Sequence, residues 1–252
     1  MKRADDRGLS DLRPVAMTLG FHRPSEGSVL YRAGGTVILC TASVDEKVPP
    51  FLEGRGQGWL TAEYQMHPRA NPRRQDRDGR GRAVNGRTQE IQRLVGRALR
   101  AAVHLDRLGE RTVTIDCDVL EADGGTRTAS VTGGFVALAL ALHKLTAAGL
   151  LPGPVLRAPV AAVSVGYLDD LGLALDLAYV EDSRARVDMN VVATGAGAVV
   201  EVQGTAEGAP IAREAMDRMV DLALSGIARL AAEQESALAS AGVTLRNLVA
   251  EE

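Results

Sequence analysis

The chain has 252 residues, 46% of them hydrophobic, which is enough to bury a substantial apolar core in one large domain or two small ones. Its net charge of −3 does not by itself point to a polyanionic partner, and no uninterrupted apolar run approaches the roughly 20 residues that cross a bilayer. The opening stretch MKRADDRGLSDLRP has no apolar signal-peptide core, so a cytoplasmic protein without a membrane partner is expected. Two cysteines, Cys40 and Cys117, lie in separate strand-like runs and read as buried, reduced thiols. The four histidines (His22, His67, His104, His143) are scattered, which argues against a zinc hydrolase of the H-E-x-x-H kind.

In chain order, Ser28 to Tyr31 and Thr36 to Val44 read as strands joined by the Ala33-Gly34-Gly35 turn. Residues 69–86 have almost no apolar side chain and are rich in Arg, Asn, Asp and Gly, the composition of an exposed basic loop. From Thr88, the residues Ile91, Leu94, Val95, Ala98, Leu99, Ala102 and Val103 repeat at the spacing of one helix face. Arg111 to Leu120 alternates polar and apolar like a strand, and a helix apolar nearly all round is expected from about Ala129 through Ala147. After Pro152, Gly153 and Pro154 come strand-like runs at Pro159–Tyr167, Gly172–Leu177, Asp188–Thr194 and Ala198–Gly204, then a helix from about Ile211 to Glu235. Strands followed by helices in both halves predict an α/β protein, an α+β sandwich with mixed sheets rather than a doubly wound parallel sheet. The Gly turn near Gly34 is echoed near Gly195 and Gly197. The chain is therefore read as one domain, 1–252, with two similar subdomains of about 1–150 and 155–252.

Charge is unevenly distributed. Between Met66 and Arg100, ten arginines (Arg69, Arg73, Arg74, Arg77, Arg80, Arg82, Arg87, Arg93, Arg97, Arg100) stand against three acids (Asp76, Asp78, Glu90), so this window carries +7 and the rest −10. Such a split is expected where one face meets a polyanion and the remainder keeps the protein in solution. Because lysines number only three, arginine abundance is partly compositional, and it is the clustering that points to nucleic acid.

Three constellations could carry chemistry. Asp123-Gly124-Gly125-Thr126-Arg127-Thr128-Ala129-Ser130 joins a strand to the buried helix. Its glycines allow close backbone approach, the helix start offers free amides to an anion, Thr126 and Ser130 add hydroxyls, and Arg127 adds a guanidinium shaped for phosphate oxygens. The same residues would also make an ordinary turn capped by Thr126 or Thr128. Arg87 stands at or just before the first helix's N-terminus, where its charge disfavours folding by up to about 1 kcal/mol. A bound phosphate would relieve that conflict, and local rules broken in this way mark sites. Lastly, Asp188 interrupts the entry to an apolar strand and Asp182 lies six residues earlier. One continuous strand would separate them by roughly 20 Å. A turn near Ser183 to Ala185 would instead make them two hard oxygen ligands suited to Mg²⁺. The alternative is that Asp182 caps a turn while Asp188 pairs with Arg184 or Arg186.

Taken in order, Leu39-Cys40-Thr41-Ala42-Ser43-Val44, Gly58-Trp59-Leu60-Thr61-Ala62-Glu63-Tyr64, Pro68-Arg69-Ala70, Gly86 through Leu94, Ile115 through Val119, Asp123 through Ser130, Asp188-Met189-Asn190-Val191-Val192 and Glu201 through Glu207 resemble the ribonuclease PH family. The resemblance covers most of the chain and implies the ribonuclease PH fold, which is ribosomal protein S5 domain 2-like, with mixed sheets and helices packed between them. It implies that inorganic phosphate is held by Arg87, Gly125, Thr126 and Arg127, and that Asp182 and Asp188 are catalytic carboxylates associated with Mg²⁺. Arg69, Arg74 and Arg77 match arginines that grip RNA, often across to a neighbouring subunit. The implied activity is phosphorolytic trimming of RNA 3′ ends, notably of precursor tRNA, releasing nucleoside 5′-diphosphates and running in reverse as a nucleotidyltransferase. The implied assembly is a homo-hexamer, a trimer of dimers. A catalytically silent RNA-binding ring subunit of an exosome-like assembly is the competing class, and it is expected to lack part of the phosphate or carboxylate set. Departures from the family pattern are Ala178 and Val187, where Asp and Thr are usual, and Asn71-Pro72 within the basic loop.

Overall fold

The computed structural model describes residues 3, 5–81 and 83–250, so Arg82 of the basic window and Met1, Lys2 and Ala4 of the opening stretch lie outside the described residues. The elements are β1 (Val15–Leu19), β2 (Gly27–Ala33), β3 (Thr36–Asp45), β4 (Trp59–Met66), α1 (Gly86–Ala101), β5 (Thr112–Glu121), α2 (Thr126–Ala147), β6 (Val160–Leu168), β7 (Gly172–Leu175), α3 (Tyr179–Asp182), β8 (Val187–Thr194), β9 (Val199–Ala206) and α4 (Arg213–Ser240). A five-stranded sheet runs β1-β2-β3-β5-β4 and a four-stranded sheet β7-β6-β8-β9. Every neighbouring pair is antiparallel except β4 with β5. This is the mixed α/β arrangement expected from the strand and helix order.

β1 and β4 escape the reading from sequence, and both are edge strands of the first sheet. Both alternate: Leu60, Ala62 and Tyr64 of β4 turn inward, as Val113, Ile115, Cys117 and Val119 do on β5. The five residues of β1 are too few, and too weakly buried, to stand out.

α2 is the centre of the molecule. On its far side β6 and β8 are buried on both faces, which explains their nearly unbroken apolar runs. Val160, Ala162 and Val192 join the main core with α2, whereas Ala161, Val163, Val165, Val191 and Ala193 join a second core with Met219, Ala223, Ile227 and Leu230 of α4. The layers are therefore first sheet, α2, second sheet and α4, with α1 beside α2 on the first sheet. By length and composition α2 is apolar enough to cross a bilayer, which a count of uninterrupted apolar residues misses because its Thr, Gly and Ser are interspersed. In the fold, 83% of its most apolar window is buried between the sheets. Cys40 and Cys117 face each other across β3 and β5 as buried, free thiols.

Candidate active site

α1 and α2 both begin on one cleft of about 850 Å³, and its walls include Arg87, Gly125, Thr126, Arg127, Asp182 and Asp188. All six were singled out in the sequence, and the fold brings all six together. Neither helix has an acidic residue in its first turn, and each carries an arginine at its second position, Arg87 after Gly86 and Arg127 after Thr126. Both starts expose unpaired N–H groups and the positive end of a macrodipole, so the end of the cleft at the two helix starts gathers positive charge from backbone and side chain alike. Asn85 caps α1, its Oδ1 accepting from Thr88 N at 2.9 Å.

α2 begins at Thr126, three residues before the apolar pattern indicates, because its first turn is polar and faces the cleft. Its N-cap is Gly125 at φ +63°, with no side-chain cap, so the capped-turn alternative with Thr126 or Thr128 does not hold. Thr128 Oγ1 donates to the Gly125 carbonyl at 3.0 Å, and Ser130 Oγ donates to Thr126 O at 2.8 Å. The Ser130 hydroxyl is thus engaged inside the helix and is not turned to a ligand. Thr126 Oγ1 accepts from the Tyr64 hydroxyl at 2.9 Å, leaving its own proton for an acceptor in the cleft. Burial raises the Tyr64 phenol pKa and keeps it a donor.

Arg127 is oriented by a relay. Its Nη2 donates to Glu90 Oε2 at 3.0 Å, and Glu90 Oε1 accepts from Gln203 Nε2 at 2.9 Å. Burial works to raise the Glu90 pKa, but the bonds from Gln203 and Arg127 outweigh it and hold the group below its ordinary value. Arg127 Nε remains buried with no hydrogen-bond partner among the described residues.

The carboxylates arrive from the second sheet. Alternation puts Ser164, Asp188 and Asn190 on the face of β6 and β8 that packs α2, at that helix's N-terminal end. Asp182 ends α3, and backbone bonds from Ser183 N to Tyr179 O (3.0 Å), Arg184 N to Glu181 O (3.1 Å) and Ala185 N to Asp182 O (3.2 Å) turn the chain back toward Asp188. The alternative pairing of Asp188 with Arg184 or Arg186 is absent: Arg184 bonds Asp170 at 2.9 Å and Arg186 approaches Asp169 at 3.3 Å, both acids lying between β6 and β7. Stacking of Arg186 on the Tyr167 ring, 4.3 Å from its centroid, further holds it away.

Asp188 Oδ1 is therefore buried with no hydrogen-bond partner among the described residues. Burial, with the charge of Asp182 adding, pushes the Asp188 pKa up to about 6. Burial also raises Asp182, against the pull of Arg127, Arg87 and Arg13. Arg127 and Arg87 also pull on Asp188, but among the described residues neither carboxylate forms a salt bridge, and two such hard oxygen donors fit a divalent cation. Among the described residues no group of three or more His, Cys, Asp or Glu forms, so such an ion would complete its shell with water and substrate oxygens.

Residues with no local signal hold the two halves in register. Arg13 Nη1 donates to Asp123 O at 2.5 Å while Nη2 donates to Asp176 Oδ1 at 2.7 Å, so one guanidinium joins the anion turn to the loop leading into α3. Behind it, Arg3 forms a buried pair with Glu181 at 2.6 Å, with side-chain exposures of 0% and 2%, and also donates to Leu175 O and Asp176 O. Gly124 makes the close approach possible. A Cβ there would lie 2.5 Å from Leu177 O and 2.8 Å from Tyr179 N, and its φ is +77°. Asp123 Oδ1 accepts from Tyr179 N at 3.2 Å across the same seam. Arg13 and Asp176 are 163 residues apart in the chain, a pairing that no spacing rule could find.

The basic loop is exposed. Among its described residues, those on the cleft wall are Asn71, Pro72, Arg73, Gln75, Asp76, Asp78 and Asn85, not Arg69, Arg74 or Arg77. Among the described residues Arg74 pairs with exposed Asp76, at 3.4 Å.

Comparison with known proteins accords with this architecture. Residues 11–143 match the model of the 3′ exoribonuclease family, domain 1, and residues 158–226 that of domain 2. The ribonuclease PH of Moorella thermoacetica is 55% identical over 238 residues, covering 94% of this chain and 95% of that one; that of Bacillus pumilus is 53% identical over 234 residues, covering 93% and 97%. Two solved structures share the fold at low identity: rice (Oryza sativa) Rrp46, with a TM-score of 0.75 and 17% identity over 94% of this chain and 100% of that one, and the Archaeoglobus fulgidus exosome with RNA bound to the active site, at 0.76 and 20% over 92% of each. With two family models spanning the cleft's residues and relatives above 50% identity along nearly its whole length, the chain belongs to the ribonuclease PH family of 3′ exoribonucleases.

Proposed function

We propose that the protein is a phosphorolytic 3′-5′ exoribonuclease that trims RNA 3′ ends, notably those of precursor tRNA, and acts in reverse as a nucleotidyltransferase. The observation that carries this reading is the convergence of two acid-free helix starts, each bearing an arginine at its second position, on the cleft that also holds Asp182 and Asp188. Inorganic phosphate suits that cradle, since its oxygens meet backbone N–H groups, two guanidinium forks and the Thr126 hydroxyl.

An oxygen of the bound phosphate attacks the phosphorus of the last phosphodiester in line. The bond from that phosphorus to the 3′ oxygen breaks, the oxygen takes up a proton, and a nucleoside 5′-diphosphate leaves with RNA one residue shorter. Arg87, Arg127, Gly125 and Thr126 place the nucleophile, and most of the acceleration comes from positioning and charge neutralisation. Mg²⁺ held by Asp182 and Asp188 would offset charge on the scissile phosphate.

In this proposal Arg69, Arg74 and Arg77 grip RNA at the cleft of a neighbouring subunit within a homo-hexamer, a trimer of dimers. Support comes from their exposure and from their absence from the cleft of their own chain. The protein acts in the cytoplasm without a membrane partner. A catalytically silent ring subunit is the weaker reading, because phosphate cradle and carboxylate pair are both present in one cleft.

Incubation of a 3′-extended tRNA with and without phosphate, followed by product chromatography, tests the proposal. Phosphate-dependent release of nucleoside diphosphates is expected. Equal loss of RNA in phosphate-free buffer, with monophosphates as product, would refute it.

A further inference from the structure

The chain has only eight aromatic residues, three Phe, four Tyr and one Trp. Eight large apolar side chains stand exposed among the described residues, and of these only Tyr179, at 62%, also lines the cleft. Tyr64 lines it too, but is 2% exposed and committed through its hydroxyl to Thr126. Tyr179 thus presents an open ring to the cavity that receives the RNA terminus.

The placement is not that of a loose surface side chain. Tyr179 opens α3, and Asp182 closes it three residues later, so the two share one side of a single helical turn. Its backbone N–H is held by Asp123 Oδ1, and the Gly124 backbone packs against it. The backbone that carries the ring is therefore anchored to the anion turn, one helical turn from the carboxylate pair, and the reacting phosphodiester must lie between those two groups.

Building on the reading above, we propose that Tyr179 is the stacking platform for the base of the 3′-terminal nucleotide. A ring face binds any base, because stacking does not read the hydrogen-bonding edges, and this suits an enzyme that removes successive nucleotides of differing identity. Carrying no charge, the ring orients the nucleotide without competing with the arginines for phosphate.

The test uses the full chain and its Tyr179→Ala, Tyr179→Phe and Val180→Ala variants, with steady-state phosphorolysis of a 3′-extended RNA. Tyr179→Ala is expected to raise the KM for RNA roughly 5- to 100-fold, the range of a lost base-aromatic stack, with the KM for phosphate unchanged. Tyr179→Phe keeps the ring and retains a low KM; Val180→Ala, beside it but outside the cleft wall, changes neither. An RNA ending in 2-aminopurine loses fluorescence on binding the unaltered protein and Tyr179→Phe, but not Tyr179→Ala. An unchanged RNA KM and an undiminished quench in Tyr179→Ala would overturn the proposal. So would a change in sedimentation showing that the ring serves contact between copies. Should the unaltered chain show no phosphate-dependent turnover, the functional reading itself fails; intact phosphorolysis with an indifferent Tyr179 sinks this inference alone.

Discussion

Replacing Gly124 with alanine perturbs the seam on which the site depends. The new Cβ would stand 2.5 Å from Leu177 O, 2.8 Å from Tyr179 N and 2.9 Å from Ala178 C, all backbone atoms that cannot rotate away. The φ of +77° adds the left-handed penalty of an L side chain, about 1–2 kcal/mol. Relieving the overlap by moving backbone costs typically a further 1–3 kcal/mol, so a destabilisation of about 2–5 kcal/mol is expected. More telling is the direction of the movement. The loop carrying α3 must retreat from the anion turn, taking Asp182 away from Arg127. Turnover should therefore fall at least tenfold even at temperatures where the variant is fully folded. Gly149→Ala is the matched control: its φ is +69° but no atom lies within 4 Å of the added Cβ. It should lose only about 1–2 kcal/mol by denaturant titration and keep its turnover. If the two variants lost equal stability and activity, the close contact at Gly124 would not be what holds the carboxylates in place.

Arg87→Ala should raise the KM for phosphate about 10- to 100-fold, the worth of a charge-assisted bond, while RNA affinity measured without phosphate changes little; a KM left unaltered would remove Arg87 from the cradle. Mg²⁺ affinity should fall about tenfold per pH unit below about 6, because Asp188 must lose one proton to bind a cation, and a pH-independent titration would contradict the assignment. For stability the sign is opposite. The folded state keeps this proton up to about 6 while the free carboxyl loses it near 3.8, so the group weakens the cation-free fold as pH rises between those values. Asp188→Asn should therefore raise the cation-free melting temperature at pH 7.5, and a lower melting temperature would count against a strained, unpaired carboxylate. Arg3→Met should cost about 1–3 kcal/mol by leaving Glu181 only Arg7, 3.7 Å away, and the Ala178 N–H as partners, and Arg3→Met with Glu181→Met should recover part of it; additive losses would mean that the pair is not the source.

What the sequence reveals follows from range. Amphipathic α1, buried α2 and the alternating β5 are set by periodicity within each segment, and the anion turn is visible because its glycines and Arg127 are consecutive. Arg87 stands out because it violates the preference of a helix start. The bonds that make these parts one site are invisible to such reasoning, because Arg13 meets Asp176, and Arg3 meets Glu181, only once the second sheet has packed on α2. The partner of Asp188 is the sharpest case. Spacing favours Arg184 or Arg186, yet Asp169 and Asp170, a turn away between β6 and β7, draw both arginines off and leave the carboxylate to the cleft. The first turn of α2 is misplaced from sequence for a related reason: its polar residues serve the cleft, so the apolar pattern starts late.

In the proposed mechanism an anion seated between the two helix starts is the attacking group. Supplying ³²P-labelled inorganic phosphate with unlabelled RNA tests it at the level of the bond formed. With phosphate as the attacking group, the label enters the terminal phosphoryl group of the released nucleoside diphosphates, one per nucleotide removed, and Arg127→Ala abolishes that transfer. Unlabelled nucleoside monophosphates, released at a rate indifferent to Arg127, would show that water attacks and that the cradle has another purpose.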